Sequence, residues 1–253
     1  MELPVYLDNA STTPLDPRVA ETMLRCLRSS DSFGNPSADT HELGRKAHAL
    51  VEVARDQVAA LINATSGEII WTSGATESNN LALIGVAYYR SVRGRHVVTS
   101  ATEHKAVLST CQHLEEQGFR VTYLEPDSNG LVAPEAVKAA FTSDTILVSI
   151  MHANNEIGVV HDIAGIGAVC READVVFHVD AAQSAGRLAL DVQRQCIDLL
   201  SLTAHKLYGP KGIGALFLNR RSLRRIEPLM HGGDQERGLR PGTLPTHQIV
   251  GMG

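Results

Sequence analysis

Through the middle of this chain, short apolar runs alternate with segments of helical period, and this alternation constrains the fold most. Residues 96–99, 120–124, 145–151, 175–179 and 197–202 read as strands. Residues 106–116, 134–141 and 164–171, which lie between them, read as helices. A strand, a helix and a second strand of one sheet must cross back to the starting edge. The strands are therefore expected to form a mainly parallel sheet with helices on both faces, an α/β fold.

The flanking segments extend the pattern. Pro17 stands where a first helix starts, running through Val19, Met23 and Leu27. Leu43, Ala47, Val51, Ala54, Val58 and Ile62 keep helical spacing over 42–62, with Asp39 or Thr40 as the expected cap. Residues 69–73 read as a strand that runs into the small-residue turn Gly74-Ala75-Thr76 and then a helix through Tyr89.

At 253 residues the chain can fill one large domain. Its net charge of −5, with 23 basic residues against 28 acidic ones, argues against a nucleic-acid surface. No apolar stretch approaches the roughly 20 residues that cross a bilayer, and the N-terminus lacks a signal-peptide pattern. Cys26, Cys111, Cys170 and Cys196 are scattered without C-x-x-C spacing, which fits reduced thiols and a cytoplasmic protein. No H-E-x-x-H or tight His/carboxylate cluster occurs, so no metal site is expected, and neither G-x-G-x-x-G nor a P-loop is present. Arg220, Arg221, Arg224 and Arg225 form a basic cluster, read as a solvated face or a protein-docking patch.

The stretch 201–214 places Lys206 between an apolar run and a Gly/Pro-rich turn, with a second apolar run, 215–218, behind it. That reads as a buried strand, a tight turn and another strand, with the lysine at the rim. On its own such a lysine is usually a surface residue; held near apolar walls, its amine loses basicity, as imine formation requires. Upstream, Phe177-His178-Val179-Asp180 ends a strand in a carboxylate at the mouth of the sheet, where α/β ligands bind. Asp180 is either a cap for the following turn or a ligand group. The turn at Gly74 leads from a strand into a helix N-terminus, which makes an anion site. An imine-forming amine, a strand-end acid and a phosphate cradle are what pyridoxal 5′-phosphate needs.

Five blocks then carry a resemblance: Thr72-Ser73-Gly74-Ala75-Thr76-Glu77-Ser78-Asn79-Asn80, Thr102-Glu103-His104-Lys105, His152-Ala153-Asn154-Asn155-Glu156-Ile157-Gly158, His178-Val179-Asp180-Ala181-Ala182-Gln183 and Ala204-His205-Lys206-Leu207-Tyr208-Gly209-Pro210-Lys211-Gly212. In order and spacing they resemble the cysteine desulfurases, class-V aminotransferase-like enzymes, and most closely the housekeeping branch that serves iron–sulfur cluster assembly. The similarity runs over essentially the whole chain. It implies PLP-dependent transferase fold type I and conversion of L-cysteine to L-alanine, with the sulfur passed on as a persulfide. It also implies roles for single residues. Lys206 is the Schiff-base lysine and the group that moves the α-proton, and His104 stacks on the cofactor ring and transfers protons. Asp180 pairs with the ring nitrogen, Gln183 donates to the ring oxygen, and Asn155 contacts cofactor and substrate carboxylate. Ala75, Thr76, Thr203 and His205 hold the phosphate, Thr203 standing where relatives often carry serine. Thr243 reaches the phosphate of a partner subunit in a homodimer. Asp234, where relatives often have glycine, and Pro241 depart from the pattern of that dimer loop; Asp234 is costly if its position needs a positive φ.

By the same resemblance, residues 1–15 belong to a smaller domain and residues 16–253 form the large cofactor domain. The rest of the small domain, with a nucleophilic cysteine on a mobile loop and an arginine that clamps the substrate carboxylate, is expected to be absent. None of the four cysteines has such a loop context, so turnover by this chain alone is not expected. Iron–sulfur scaffold or sulfur-acceptor proteins are the implied partners. The alternatives are a non-catalytic short homologue that pairs with or regulates a full-length desulfurase, and a related lyase or aminotransferase.

Overall fold

The computed structural model describes residues 4–30, 32–220, 222 and 226–253. Their strands are, in chain order, β1 (Ile69–Thr72), β2 (His96–Ser100), β3 (Arg120–Leu124), β4 (Thr145–Met151), β5 (Val176–Asp180), β6 (Leu199–Thr203) and β7 (Gly214–Leu218). The helices are α1 (Pro17–Arg28), α2 (Glu42–Leu61), α3 (Ala75–Arg90), α4 (Lys105–Glu116), α5 (Pro134–Ala139), α6 (Ile163–Glu172) and α7 (Thr246–Met252). The strands form one sheet in the order β1-β7-β6-β5-β4-β2-β3. From β6 to β3 every pairing is parallel, and β7 runs antiparallel to both β6 and β1. The sheet is thus the mainly parallel one that the βα alternation requires, with an antiparallel pair added at one edge.

Continuous apolar strands are needed because both faces are covered. Successive side chains point to opposite sides, and they divide accordingly between two cores. Ile70, Val97, Leu147, Leu199 and Leu216 pack with Leu81, Val86, Val107 and Leu114 of α3 and α4. Trp71, Val98, Val148, Phe177 and Leu200 pack with Val51, Val58, Ile166 and Ile249 of α2, α6 and α7.

Two histidines cross-link the strands within the sheet. His178 shares hydrogen bonds with Ser149 Oγ (2.8 Å) on β4 and Ser201 Oγ (2.9 Å) on β6. His96 does the same with Thr145 and Thr122. Burial pushes the His178 ring down to about 3, so it stays neutral.

Local starts and stops mostly follow the sequence. Pro17 opens α1, and Asp16 caps it by accepting the Arg18 amide at 2.8 Å. The cap of α2 differs from expectation: it is His41, neither Asp39 nor Thr40, and its Nδ1 accepts the Gly44 amide at 3.0 Å. An unprotonated ring nitrogen serves as well as a hydroxyl there. Helix α5 ends at Ala139, two residues short of the expected stop. Arg220 is exposed, whereas Arg221, Arg224 and Arg225 lie outside the described residues. Among the described residues no helix is long and apolar enough to cross a membrane.

Candidate active site

The carboxyl ends of β4, β5 and β6 and the N-terminus of α3 converge on a cavity of about 690 Å³. This is where a ligand enters an α/β sheet. Ala75, Thr76, His104, Asn155, Asp180, Gln183, Thr203, His205 and Lys206 all line it. Thr243 does not; it is exposed on the loop before α7. A second cavity, about 570 Å³, opens at the opposite end of the sheet, by Arg171, Cys196 and Asp198. There Asp198 is engaged by the Phe177 amide and by Asn219, so its carboxylate is taken up by the fold.

Lys206 closes the short 3-10 turn Ala204–Lys206 that follows β6. Burial pushes its amine below the usual lysine range; the negative charge of Asp180 works against that shift and Arg187 works with it. The amine is therefore more nucleophilic at neutral pH than a surface lysine. Asp180, at the last position of β5, is 5% exposed. Its Oδ1 accepts the Ala182 amide at 2.9 Å, and its Oδ2 accepts from Asn79 Nδ2 at 2.7 Å. The carboxylate thus caps the following turn and also lines the cavity.

At the other end of the cavity, Gly74 precedes α3 with φ 153° and ψ 178°, a region that side chains disfavour. Gly74 has no side chain to cap the helix, so the leading amides beside it meet the cavity without a side-chain cap. Gly214 lets β7 start against this turn, since a Cβ there would fall 2.6 Å from the Gly74 Cα. The Thr203 hydroxyl lies beside Gly74 from the end of β6. Unsatisfied helix amides, a hydroxyl and the His205 ring make a donor set suited to a phosphate. Burial and the charges of Lys206 and Lys211 push that ring below the usual histidine range.

The rim carries the remaining expected residues. His104 caps α4, its Nδ1 accepting the Ala106 amide at 3.0 Å, which leaves Nε2 as the nitrogen available to a ligand. Asn155 Nδ2 donates to Glu156 at 2.6 Å. Gln183 Nε2 donates to the Ala10 carbonyl at 2.7 Å, and His205 Nδ1 meets Thr12 Oγ1 at 3.1 Å. Asp8, Ala10, Ser11 and Thr12 form one wall. Thr13 fastens that wall: its amide and hydroxyl donate to the His205 carbonyl at 2.8 and 2.9 Å, and its hydroxyl oxygen accepts the Tyr208 amide at 2.8 Å.

Two further groups at the site stand in the quoted sequence blocks without any role assigned to them there. Asn79 orients Asp180 from one helical turn inside α3, and its Oδ1 is buried without a partner among the described residues. Glu103, beside His104, is buried with Oε1 on the Met151 amide at 2.7 Å, and burial pushes its carboxyl well up. The expected cost at Asp234 does not arise, because its φ is −83°. The positive φ values fall instead on Glu236 (47°), Arg237 (60°) and Gly238 (75°). Pro241 follows Arg240, whose Nε donates to Glu77 Oε1 at 2.9 Å.

No cysteine lines the cavity among the described residues. Cys111 and Cys170 are buried, and burial pushes both thiols up, Cys111 to about 12. Cys26 lies on α1, and Cys196 lines the cavity at the far end of the sheet.

Residues 5–253 match the Aminotransferase class-V family. Curated relatives include the cysteine desulfurase IscS of Shewanella sediminis (strain HAW-EB3), 60% identical over 253 residues, and that of Shewanella baltica (strain OS223), 59% identical. Each alignment takes in 100% of this chain and 63% of the relative, so the chain spans less than two thirds of their length. Among solved structures, "SspA in complex with cysteine" superposes with TM-score 0.93 at 48% identity, covering 98% of this chain and 70% of that one. A "NIFS-LIKE PROTEIN" superposes with TM-score 0.94 at 40% identity, covering 99% and 68%.

Proposed function

The chain belongs to the Aminotransferase class-V family, and from that premise we propose that it forms the cofactor-binding part of a cysteine desulfurase. The reaction converts L-cysteine to L-alanine and hands the sulfur on as a persulfide for iron–sulfur cluster assembly. One observation carries this reading: Lys206, with its weakened amine, and Asp180 face a common cavity that ends on the uncapped N-terminus of α3. Relatives named for the activity, and a similar structure described as a complex with cysteine, support it.

Pyridoxal 5′-phosphate, the family's cofactor, supplies an electron sink for the substrate's α-carbon when bound. The donors of this cavity fit it. Ala75, Thr76, Thr203 and His205 would hold the phosphate, Asp180 the ring nitrogen and Gln183 the ring oxygen. Lys206 would carry the group covalently and move the proton at the α-carbon, since burial makes its amine give up its proton more readily than a surface lysine. His104 would cover the ring and exchange protons at Nε2, its Nδ1 being held by the Ala106 amide. Asn155 would orient the substrate carboxylate. The sulfur-accepting thiol is none of Cys26, Cys111, Cys170 and Cys196, because none lines the cavity. In a homodimer, Thr243 would complete the neighbour's phosphate site, with residues 1–15 belonging to a smaller domain and 16–253 to the large one. Sulfur-acceptor or iron–sulfur scaffold proteins would be the further partners.

The test is to load the chain with pyridoxal 5′-phosphate, reduce with borohydride and map the labelled peptide. Lys206 should carry the pyridoxyl group, and L-cysteine added before reduction should shift the absorption spectrum. A label on Lys211 or any other lysine, or a spectrum indifferent to L-cysteine, would overturn the proposal.

A further inference from the structure

The anion end of the cavity contains a carboxylate of its own. Glu77 lies in the first turn of α3 and lines the cavity with Gly74, Ala75 and Thr76. The helix dipole favours an acid there, but that acid repels any second anion brought to the same amides. Arg240 answers the conflict. Its Nε donates to Glu77 Oε1 at 2.9 Å, and the two side chains are only 22% and 18% exposed. The other carboxylate oxygen, Oε2, accepts the Ser73 amide at 2.8 Å. Burial works to raise the Glu77 carboxyl, yet the hydrogen bonds from Arg240 and Ser73 outweigh it and hold it below the usual range.

Arg240 is delivered by an anchored loop. Glu236, Arg237 and Gly238 occupy the left-handed region in succession. Such a run persists only where the surroundings fix it. Glu236 supplies the fixing: its carboxylate takes two hydrogen bonds from Arg55, both 2.8 Å, and one from the Trp71 amide at 2.7 Å. The strand that leads into the Gly74 turn and the loop that carries Arg240 are thereby clamped together.

We propose that Arg240 and Glu77 are positioning residues of the anion cradle: Arg240 cancels the Glu77 charge beside the leading amides of α3, while Glu77 holds the Ser73 amide and with it the shape of the turn. The proposal rests on the reading of the cavity as a pyridoxal-phosphate site. Without the arginine, the cradle would present an uncompensated carboxylate to an incoming phosphate. With it, the field of the helix terminus remains available to the ligand.

The test compares binding of pyridoxal 5′-phosphate and of pyridoxal, which lacks the phosphate, to the purified chain, followed by absorbance. Arg240→Gln should weaken the phosphorylated ligand about tenfold, equivalent to ~1.4 kcal/mol, and leave pyridoxal unchanged. Adding Glu77→Gln to that variant should restore most of the loss. Arg240→Lys, which keeps the charge, should stay close to wild type. A merely structural role would weaken both ligands alike and would not be rescued by the second substitution, and either result would overturn the proposal. Should Arg240→Gln fail to fold, Glu77→Gln alone decides, since the proposal requires it to bind the phosphorylated ligand at least as tightly as wild type. A wild-type chain with no preference for the phosphorylated form would instead overturn the reading of the site, and this inference with it.

Discussion

Arg55 with Glu236 and Lys206 with Asp180 bring a cation and a carboxylate together in opposite ways. Arg55 and Glu236 are in contact through two hydrogen bonds of 2.8 Å, with side chains 7% and 3% exposed. Arg55 also donates to the Ile69 carbonyl at 2.9 Å, and Glu236 accepts the Trp71 amide. The pair thus satisfies the open edge of β1, which would otherwise offer unpaired backbone groups. Burial works against the Arg55 charge, but the hydrogen bonds and charges of Glu236 and Glu52 push the guanidinium up. Lys206 and Asp180 are arranged the other way. Asp180 is held by Asn79 and the Ala182 amide, and for Lys206 burial outweighs the attraction of that acid. A saturated pair is inert scaffolding; a cation and an acid satisfied separately remain available to a ligand.

The largest effect should come from breaking the saturated pair. Glu236→Ala removes two hydrogen bonds from the buried Arg55 and leaves the Trp71 amide without that acceptor, while Glu52 and the Ile69 carbonyl still hold the guanidinium. The loss should be about 3 kcal/mol in urea unfolding, the low end for a broken buried pair. A loss below ~1 kcal/mol would show that water replaces the carboxylate freely, and the contrast between the two pairs would collapse. The next effect is at the open pair. Asn79→Ala removes a buried hydrogen bond to Asp180 and should cost about 1–3 kcal/mol. If the cofactor-free chain unfolds at the same urea concentration with and without Asn79, then Asp180 does not depend on that contact for its placement.

The open pair was legible in the sequence and the saturated one was not. Lys206 sits beside its own turn residues and Asp180 ends its own strand, so local pattern suffices to place both at the mouth of the sheet. The Gly74 turn is equally local. Arg55 and Glu236 stand 181 residues apart, one on an amphipathic helix and one in a loop, and nothing near either announces the other. Asn79 reads as an ordinary polar residue of α3, because its partner lies 101 residues away. His41 carries no cap signal in the sequence because imidazole is outside the usual hydroxyl and carboxylate set, although its Nδ1 is a competent acceptor. The pairing of β1 with β7 depends on how the chain returns after the lysine turn, which periodicity within either strand does not encode. The left-handed Glu236 and Arg237 are legible only through the anchor that holds them.

The smallest effect should be a gain. Lys206→Met removes an amine whose charged form is disfavoured by burial, so the cofactor-free variant should be slightly more stable than wild type at neutral pH. Its folded-state pKa lies below the unfolded value of 10.5. The penalty for burying the charge is therefore complete below the folded pKa and fades as pH rises toward 10.5, where the unfolded chain also loses its proton. The gain should fade in parallel. Two things keep it under ~1 kcal/mol: the amine is partly solvated, so water screens it, and its removal deprives Asp180 of a nearby positive charge. Thermal unfolding of the two proteins at pH 7 and pH 10 measures the difference. A variant less stable than wild type at pH 7 would mean that attraction to Asp180 outweighs desolvation, and that this second pair, too, is held together by its charges.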